Sequence, residues 1–304
     1  MPISTPSKPA TADQPSSPWL AALPVLFVFF WATGFIGGKY GLPHAGTFTF
    51  LTLRFLIVIA LLTVIALAMG APWPKRHEIL PLAIGGVFVH AAYLGSVFLS
   101  ISNGVEAGVS AMMAGLQPLL TAMVAGPVLG EKVTGRQWAG LLLGVAGVAL
   151  VVETKLAQGL GTPLGMAFAF LAAIMLTIGT LWQKKFGGQM DLRTGSIVQF
   201  TASAIVCAPL AIFLEDFRHE WTVDFVLALG WLVVVLSIGT ISALYVMIRR
   251  GAASKVASLF FLVPPMTALL AYFLFGETLG LTAFAGMVLI AVAVAMVTIT
   301  PGKT

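Results

Sequence analysis

The side chains able to do chemistry are few and stand alone in long apolar runs. Arg54 lies in FLTLRFLIVIALL. An arginine at the centre of a bilayer costs about 2.5 kcal/mol or more, so in such a run it must face protein, water or a route to the surface. It either binds a carboxylate or serves as an electrostatic gate, or it snorkels outward and satisfies helix-end carbonyls. His90 and Tyr93, in GVFVHAAYLGS, are one helical turn apart and share a face. They are candidates to line a cavity, against a plain packing role. His44, His77 and His219 fall in or beside connections, so His90 is the one mid-run group that titrates near neutrality.

Two further groups involve proline and aromatic residues. Gln117 precedes Pro118, and Ser258 precedes Pro264 and Pro265. A proline removes an amide donor and frees a carbonyl one turn earlier, which can face a cavity or a gating movement, or merely kink a helix for packing. Trp182, Ser242 and Tyr245 sit toward run ends, where an aromatic belt explains the two aromatics without a ligand. Trp182 and Tyr245 are nonetheless retained as cavity candidates, because a pocket for apolar solutes needs aromatic walls with few polar anchors. Lys39 closes the first run as an end charge. Glu131 and Glu277 each follow a glycine at a run end, which suggests capping or a loop contact rather than a proton carrier. No carboxylate then remains at mid-run depth, and a facilitator driven by the gradient of its own substrate is expected.

Other chemistries lack their residues. The single cysteine, Cys207, excludes an intramolecular disulfide and a CxxC site. HExxH, GxSxG and P-loop patterns are absent, so neither an enzyme nor a resident metal or cofactor is expected. The net charge of +5 comes from basic residues placed singly or in pairs, not in a stripe, which argues against nucleic-acid binding.

The elements that must carry these residues are membrane helices. Charged residues make up 9% of the 304 residues and mean hydropathy is +1.02, whereas a soluble domain carries about a quarter charged residues. Apolar runs predict spans near 19–40, 46–69, 79–101, 105–129, 137–152, 164–184, 194–214, 225–248, 256–275 and 280–299, the fifth extending at its ends. Residues 1–18, rich in Pro, Ser and Thr, read as a disordered tail with no cleavable signal. With the N-terminus in the cytoplasm, 12 of the 16 lysines and arginines fall inside and only Lys39, Lys155 and Arg218 fall outside, which also puts residues 301–304 inside.

The chain repeats itself at an offset of about 146 residues. QPLLTAMVAGPVLGE (Gln117 to Glu131) aligns with VPPMTALLAYFLFGE (Val263 to Glu277), and Lys39, Ala139, Gly140 and Leu143 align with Lys185, Ala285, Gly286 and Leu289. Five spans per copy is odd, so the copies at 19–157 and 158–300 enter the bilayer from opposite sides. The expected fold is thus all-α, ten transmembrane helices as two inverted five-helix repeats with a central site. Small-xxx-small spacings such as Gly34/Gly38 and Gly140/Gly144 suit internal packing, so a monomer is expected with a dimer open.

Trp31, Gly34, Phe35 and Lys39 in the first run, together with the paired P…LxGE segments, resemble the EamA family of the drug/metabolite transporter superfamily over nearly all of 19–300. Within it the resemblance is greatest to the bacterial aromatic amino-acid exporters. It implies an inner-membrane transporter of amino acids or similar small metabolites, working by alternating access. A phosphorylated-metabolite or nucleotide-sugar antiporter, a drug exporter and a channel are the other readings. A phosphate substrate would need several cavity cations, and only Arg54 and Lys39 are in reach.

Overall fold

The computed structural model describes residues 18–129, 134–186, 190–240, 243, 259–278 and 280–298. Tyr245, Ser258, Ser242 and Glu131 lie outside them. The described residues are helical apart from turns and one isolated bridge, Ala45 to His219. The helices are α1 (Pro18–Gly41), α2 (Thr47–Ala68), α3 (Arg76–Ser102), α4 (Ala107–Ala114), α5 (Gln117–Leu129) and α6 (Gly135–Ala157). They continue as α7 (Pro163–Phe186), α8 (Leu192–Glu215), α9 (Val223–Thr240), α10 (Val263–Phe275) and α11 (Leu281–Thr298). Among the described residues seven stretches are long and apolar enough to cross a membrane, and Val263–Phe275 and Leu281–Met296 are shorter apolar helices.

Polar caps set where several helices begin. Thr134 accepts from the Gln137 amide at 3.3 Å while the Gln137 side chain accepts from the Thr134 amide at 2.7 Å, a reciprocal cap that starts α6. Glu78 accepts from the Lys75 amide at 2.7 Å ahead of α3, and Thr222 accepts from the Phe225 amide at 3.2 Å ahead of α9. Asp191 caps α8 and is clamped by Arg193, 3.0 Å at Nε and 2.7 Å at Nη2. That hydrogen bond holds the Asp191 carboxyl below the usual carboxylate range.

The fourth and ninth spans are interrupted just before their prolines. The fourth span is not one helix: Gly115 and Leu116 separate α4 from α5. The prolines do not kink helices, because Pro118 is the second residue of α5, and Pro264 and Pro265 are the second and third of α10, after a 3-10 turn at Phe260–Leu262. At a helix start the missing N–H costs no internal hydrogen bond. The two breaks meet, since a methyl added at Gly115 would lie 3.0 Å from Pro264 Cγ.

The offset seen in the sequence recurs in the elements. Helices α5 and α10 begin at Gln117 and Val263, and α6 and α11 at Gly135 and Leu281, each pair 146 apart. A π-helical stretch interrupts α3 at Val87–Ala92 and another forms the second half of α9 at Leu232–Thr240, at overlapping positions of the repeat. Left-handed residues follow α2 at Gly70 and α8 at Asp216, also 146 apart.

Matching helices pack on one another. Helix α2 lies against α8 and α6 against α11. Both pairs are antiparallel: Glu215 at the end of α8 accepts from the amides of Phe48 and Thr49 at the start of α2, at 2.9 and 2.7 Å. Thr154 near the end of α6 donates to Thr282 at the start of α11, 3.2 Å. Gly147 and Gly286 allow the second pair to approach until an added methyl on either would meet the other's carbonyl at 2.7 Å. Across the same division, α1 packs on α9 and the second half of α3 on α7.

Candidate functional site

A cavity of about 110 Å³ opens between α1, α2, α3, α7, α8 and α9. Its walls include Trp31, Phe35, Phe98, Phe200, Leu176 and Leu236, and its polar groups are Arg54, His90, Tyr93 and Ser237. A second space of about 50 Å³ shares Trp31, Phe35, Tyr93 and Leu176 with it and reaches Gln117, Pro118, Gly115 and Pro264. The two helix breaks therefore form the floor beneath the aromatic walls.

Arg54 sits on the second turn of α2 and is only 5% exposed. Burial in the protein replaces the snorkelling expected of a lipid-facing arginine. Its Nε and Nη2 donate to Ser237 Oγ at 3.3 and 3.1 Å. Ser237 in turn donates to the Leu232 carbonyl, five residues back at 3.1 Å, which only the π register of α9 brings into reach. The serine oxygen is therefore oriented to accept, and the guanidinium is pinned without being neutralised. No carboxylate pairs with Arg54 among the described residues.

His90 lies in the matching π stretch of α3. Its Nε2 is 3.2 Å from Gln199 Oε1, and its ring stacks on Phe200 at 4.3 Å. The stretch is wedged between α7 and α8. A methyl on Gly86 would fall 2.5 Å from Gln199 Cα, and a methyl on Gly179 would lie 3.1 Å from Phe88 Cβ. Ser203 donates to the Gly86 carbonyl at 3.0 Å, closing the same junction. Tyr93 is buried one turn on, beside Arg54.

The remaining sequence candidates divide. Gln117 lines the lower space, its Nε2 donating to Thr121 and Thr180 at 3.0 and 3.1 Å. Pro118 and Pro264 line it too, whereas Pro265 is not among its walls. Trp182 is not in the cavity. Its indole donates to the Pro81 carbonyl at 2.9 Å and its ring packs on Phe186, the helix-end role that an aromatic belt describes. The candidates Tyr245 and Ser258 lie outside the described residues.

Lys39 is not among the cavity walls and pairs with Glu277, with its ammonium 4.5 Å over the Phe275 ring. Glu277 also accepts from the amides of Ala107 and Gly108 at 3.1 and 3.3 Å, so it caps α4, a helix from the other half of the chain. Next to it the fully buried Lys155 pairs with Glu106 at 2.5 Å and donates to the Thr278 carbonyl at 2.8 Å. Together these groups lace one end of the bundle, the end at which α1 finishes. Among the described residues no group of side chains could hold a metal ion.

The EamA-like transporter family model matches twice, over 18–153 and 163–299. The chain belongs to the EamA-like transporter family. Similar proteins include YvbV of Bacillus subtilis, an uncharacterized transporter, 27% identical over 91% of this chain and 90% of its own length. The uncharacterized inner membrane transporter YedA of Escherichia coli is 24% identical over 93% and 91%. A probable amino-acid metabolite efflux pump of E. coli is 27% identical over 88% and 91%. The fold is similar to that of a crystal structure with TM-score 0.63 at 19% identity, covering 91% of this chain and 95% of that one. This is a multi-pass, all-helical membrane protein of a transporter family. Its likeness extends to several kinds of relative rather than to aromatic amino-acid exporters in particular.

The family motif in α1 has a structural use. Trp31, Gly34 and Phe35 line the main cavity and Lys39 makes the end-of-bundle pair. Ser237, Gln199 and Phe200 were missed. Nothing local in LVVVLSIGT marks a π stretch, although the repeat offset, applied to the His90 neighbourhood, leads to Leu236 and Ser237.

Proposed function

We propose that the chain is a secondary carrier of amino-acid metabolites, neutral and aromatic amino acids among them, in a bacterial-type inner membrane. The observation that carries the reading is Arg54, a buried cation without a described counter-ion in a cavity walled by aromatic rings. One cation suits one carboxylate, and the rings suit an apolar body. The relative named as a probable amino-acid metabolite efflux pump supports that class.

Alternating access fits the architecture. Matching helices run antiparallel in both described pairs, which supports two inverted halves of five spans each, ten in all, with both termini cytoplasmic. Substrate would bind between π stretches contributed by both halves. Opening toward the outer face would then require Glu277 to release Lys39 and the α4 amides, while Glu106 and Lys155 hold the rim. With no carboxylate in the cavity among the described residues, transport runs down the gradient of the substrate itself.

Proteoliposome counterflow tests the proposal. Labelled phenylalanine, other neutral amino acids and their deaminated derivatives should show saturable uptake that unlabelled compound on the far side accelerates. No stimulated flux for any of them would overturn it.

A further inference from the structure

We infer that the cavity selects an apolar or aromatic carboxylate that carries no ammonium group, the deaminated counterpart of an amino acid rather than the amino acid itself. The inference rests on the carrier reading and narrows its substrate.

Charge must balance in this buried space. Arg54 brings one positive charge, 5% exposed, and its hydrogen bonds go to the uncharged Ser237. The acidic residues near the bundle ends are committed elsewhere. Glu277 binds Lys39 and the α4 amides, Glu106 binds Lys155, Glu215 caps α2, and Asp191 binds Arg193. Asp224 lines a different groove, beside Trp231 and Tyr40. Among the described residues none of the acids reaches the cavity wall.

A lone carboxylate therefore neutralises the site and accepts fork hydrogen bonds from the guanidinium. An α-ammonium adds a second positive charge beside Arg54 with no carboxylate to receive it. Gln199 Oε1 already faces His90 at 3.2 Å, and the Gln117 amide, uncharged, lines only the lower space. The aromatic faces offer only a cation–π contact, which is weaker than a desolvated ion pair. A phosphate monoester carries the opposite mismatch, two negative charges against the one lysine or arginine that lines the cavity among the described residues.

The pair 3-phenylpropanoate and phenylalanine differs only by the ammonium group, and phenethylamine carries the ammonium without the carboxylate. Each is titrated calorimetrically against the purified full chain in lipid nanodiscs at neutral pH. The proposal expects 3-phenylpropanoate to bind about tenfold or more tightly than phenylalanine, with phenethylamine weaker than both. Arg54→Gln should abolish the preference and cut affinity for the acid, while Arg54→Lys should retain part of it. Thermal melting of each variant shows whether it is folded. Should Arg54→Gln not fold, the wild-type ranking of the three compounds decides alone. Equal or tighter binding of phenylalanine, binding of phenethylamine above the acid, an unchanged Arg54→Gln, or no binding of any compound overturns the inference. Counterflow on the same preparation is a separate readout. Selective binding of the acid without stimulated flux sinks the carrier reading and leaves the binding site standing.

Discussion

Lys155 offers the sharpest test of how the bundle end is held. Its side chain is wholly buried, its ammonium lies 2.5 Å from Glu106 and 2.8 Å from the Thr278 carbonyl, and Glu106 is only 11% exposed. Replacing Lys155 with methionine keeps most of the stem packing and deletes the charge. Glu106 is then a buried carboxylate with no partner, and the Thr278 carbonyl loses its donor. Breaking a buried pair by removing one member costs about 3–5 kcal/mol. The double variant Lys155→Met/Glu106→Gln removes the stranded charge, so most of that loss should be recovered. Unfolding of the detergent-solubilised protein, followed by tryptophan fluorescence, measures the cycle. A single-variant cost below about 1 kcal/mol, as for an exposed pair, or a double variant no better than Lys155→Met, would refute the buried-pair reasoning.

Three more outcomes follow. Glu277→Gln loses the ion pair with Lys39 and weakens the α4 cap, so an impermeant thiol reagent should reach a cysteine placed at Phe35 faster from the outer face than in the unmodified background; an equal rate contradicts the tie. Gly86→Ala forces a methyl onto the Gln199 backbone and should destabilise the protein by about 1–3 kcal/mol, whereas Gly135→Ala, where nothing lies within 4 Å, should not; comparable melting of the two variants would count against the close junction. Because Arg193 lowers the folded-state pKa of Asp191, its contribution is present in full above the ordinary carboxylate value of about 3.9 and fades as pH falls toward the lower folded value; Asp191→Asn should flatten stability in that acidic window only, and an unchanged acid limb would refute the assignment.

Much of the framework was legible because lipid demands it. An apolar run without charges is a helix in a membrane, since every backbone group must bond internally. Hence α1, α2, α3, α6, α7, α8 and α11 lie within a few residues of the expected runs, and the fifth span did extend at both ends to Gly135–Ala157. The repeat was readable because Pro, Thr-Ala, Gly and Glu recur at one spacing. Long-range partnership was not. Ser237 is 183 residues from Arg54, and Glu277 is 238 from Lys39. Such pairs depend on how helices pack, and apolar helices with little face-to-face contrast do not declare their packing. The π stretches have no composition of their own, so they surfaced only in three dimensions. Trp182 was drawn toward the cavity by residue type, yet its free N–H found the Pro81 carbonyl at the helix end instead.

The central claim is that two halves thread the membrane in opposite senses. Met69 and Arg218 follow matching helices and are 66% and 82% exposed. In a Cys207→Ala background, a cysteine at each position is treated with an impermeant maleimide on intact cells and again after permeabilisation. Opposed halves predict that position 218 labels on intact cells and position 69 only once the membrane is breached. Labelling of both positions from one face would contradict the account.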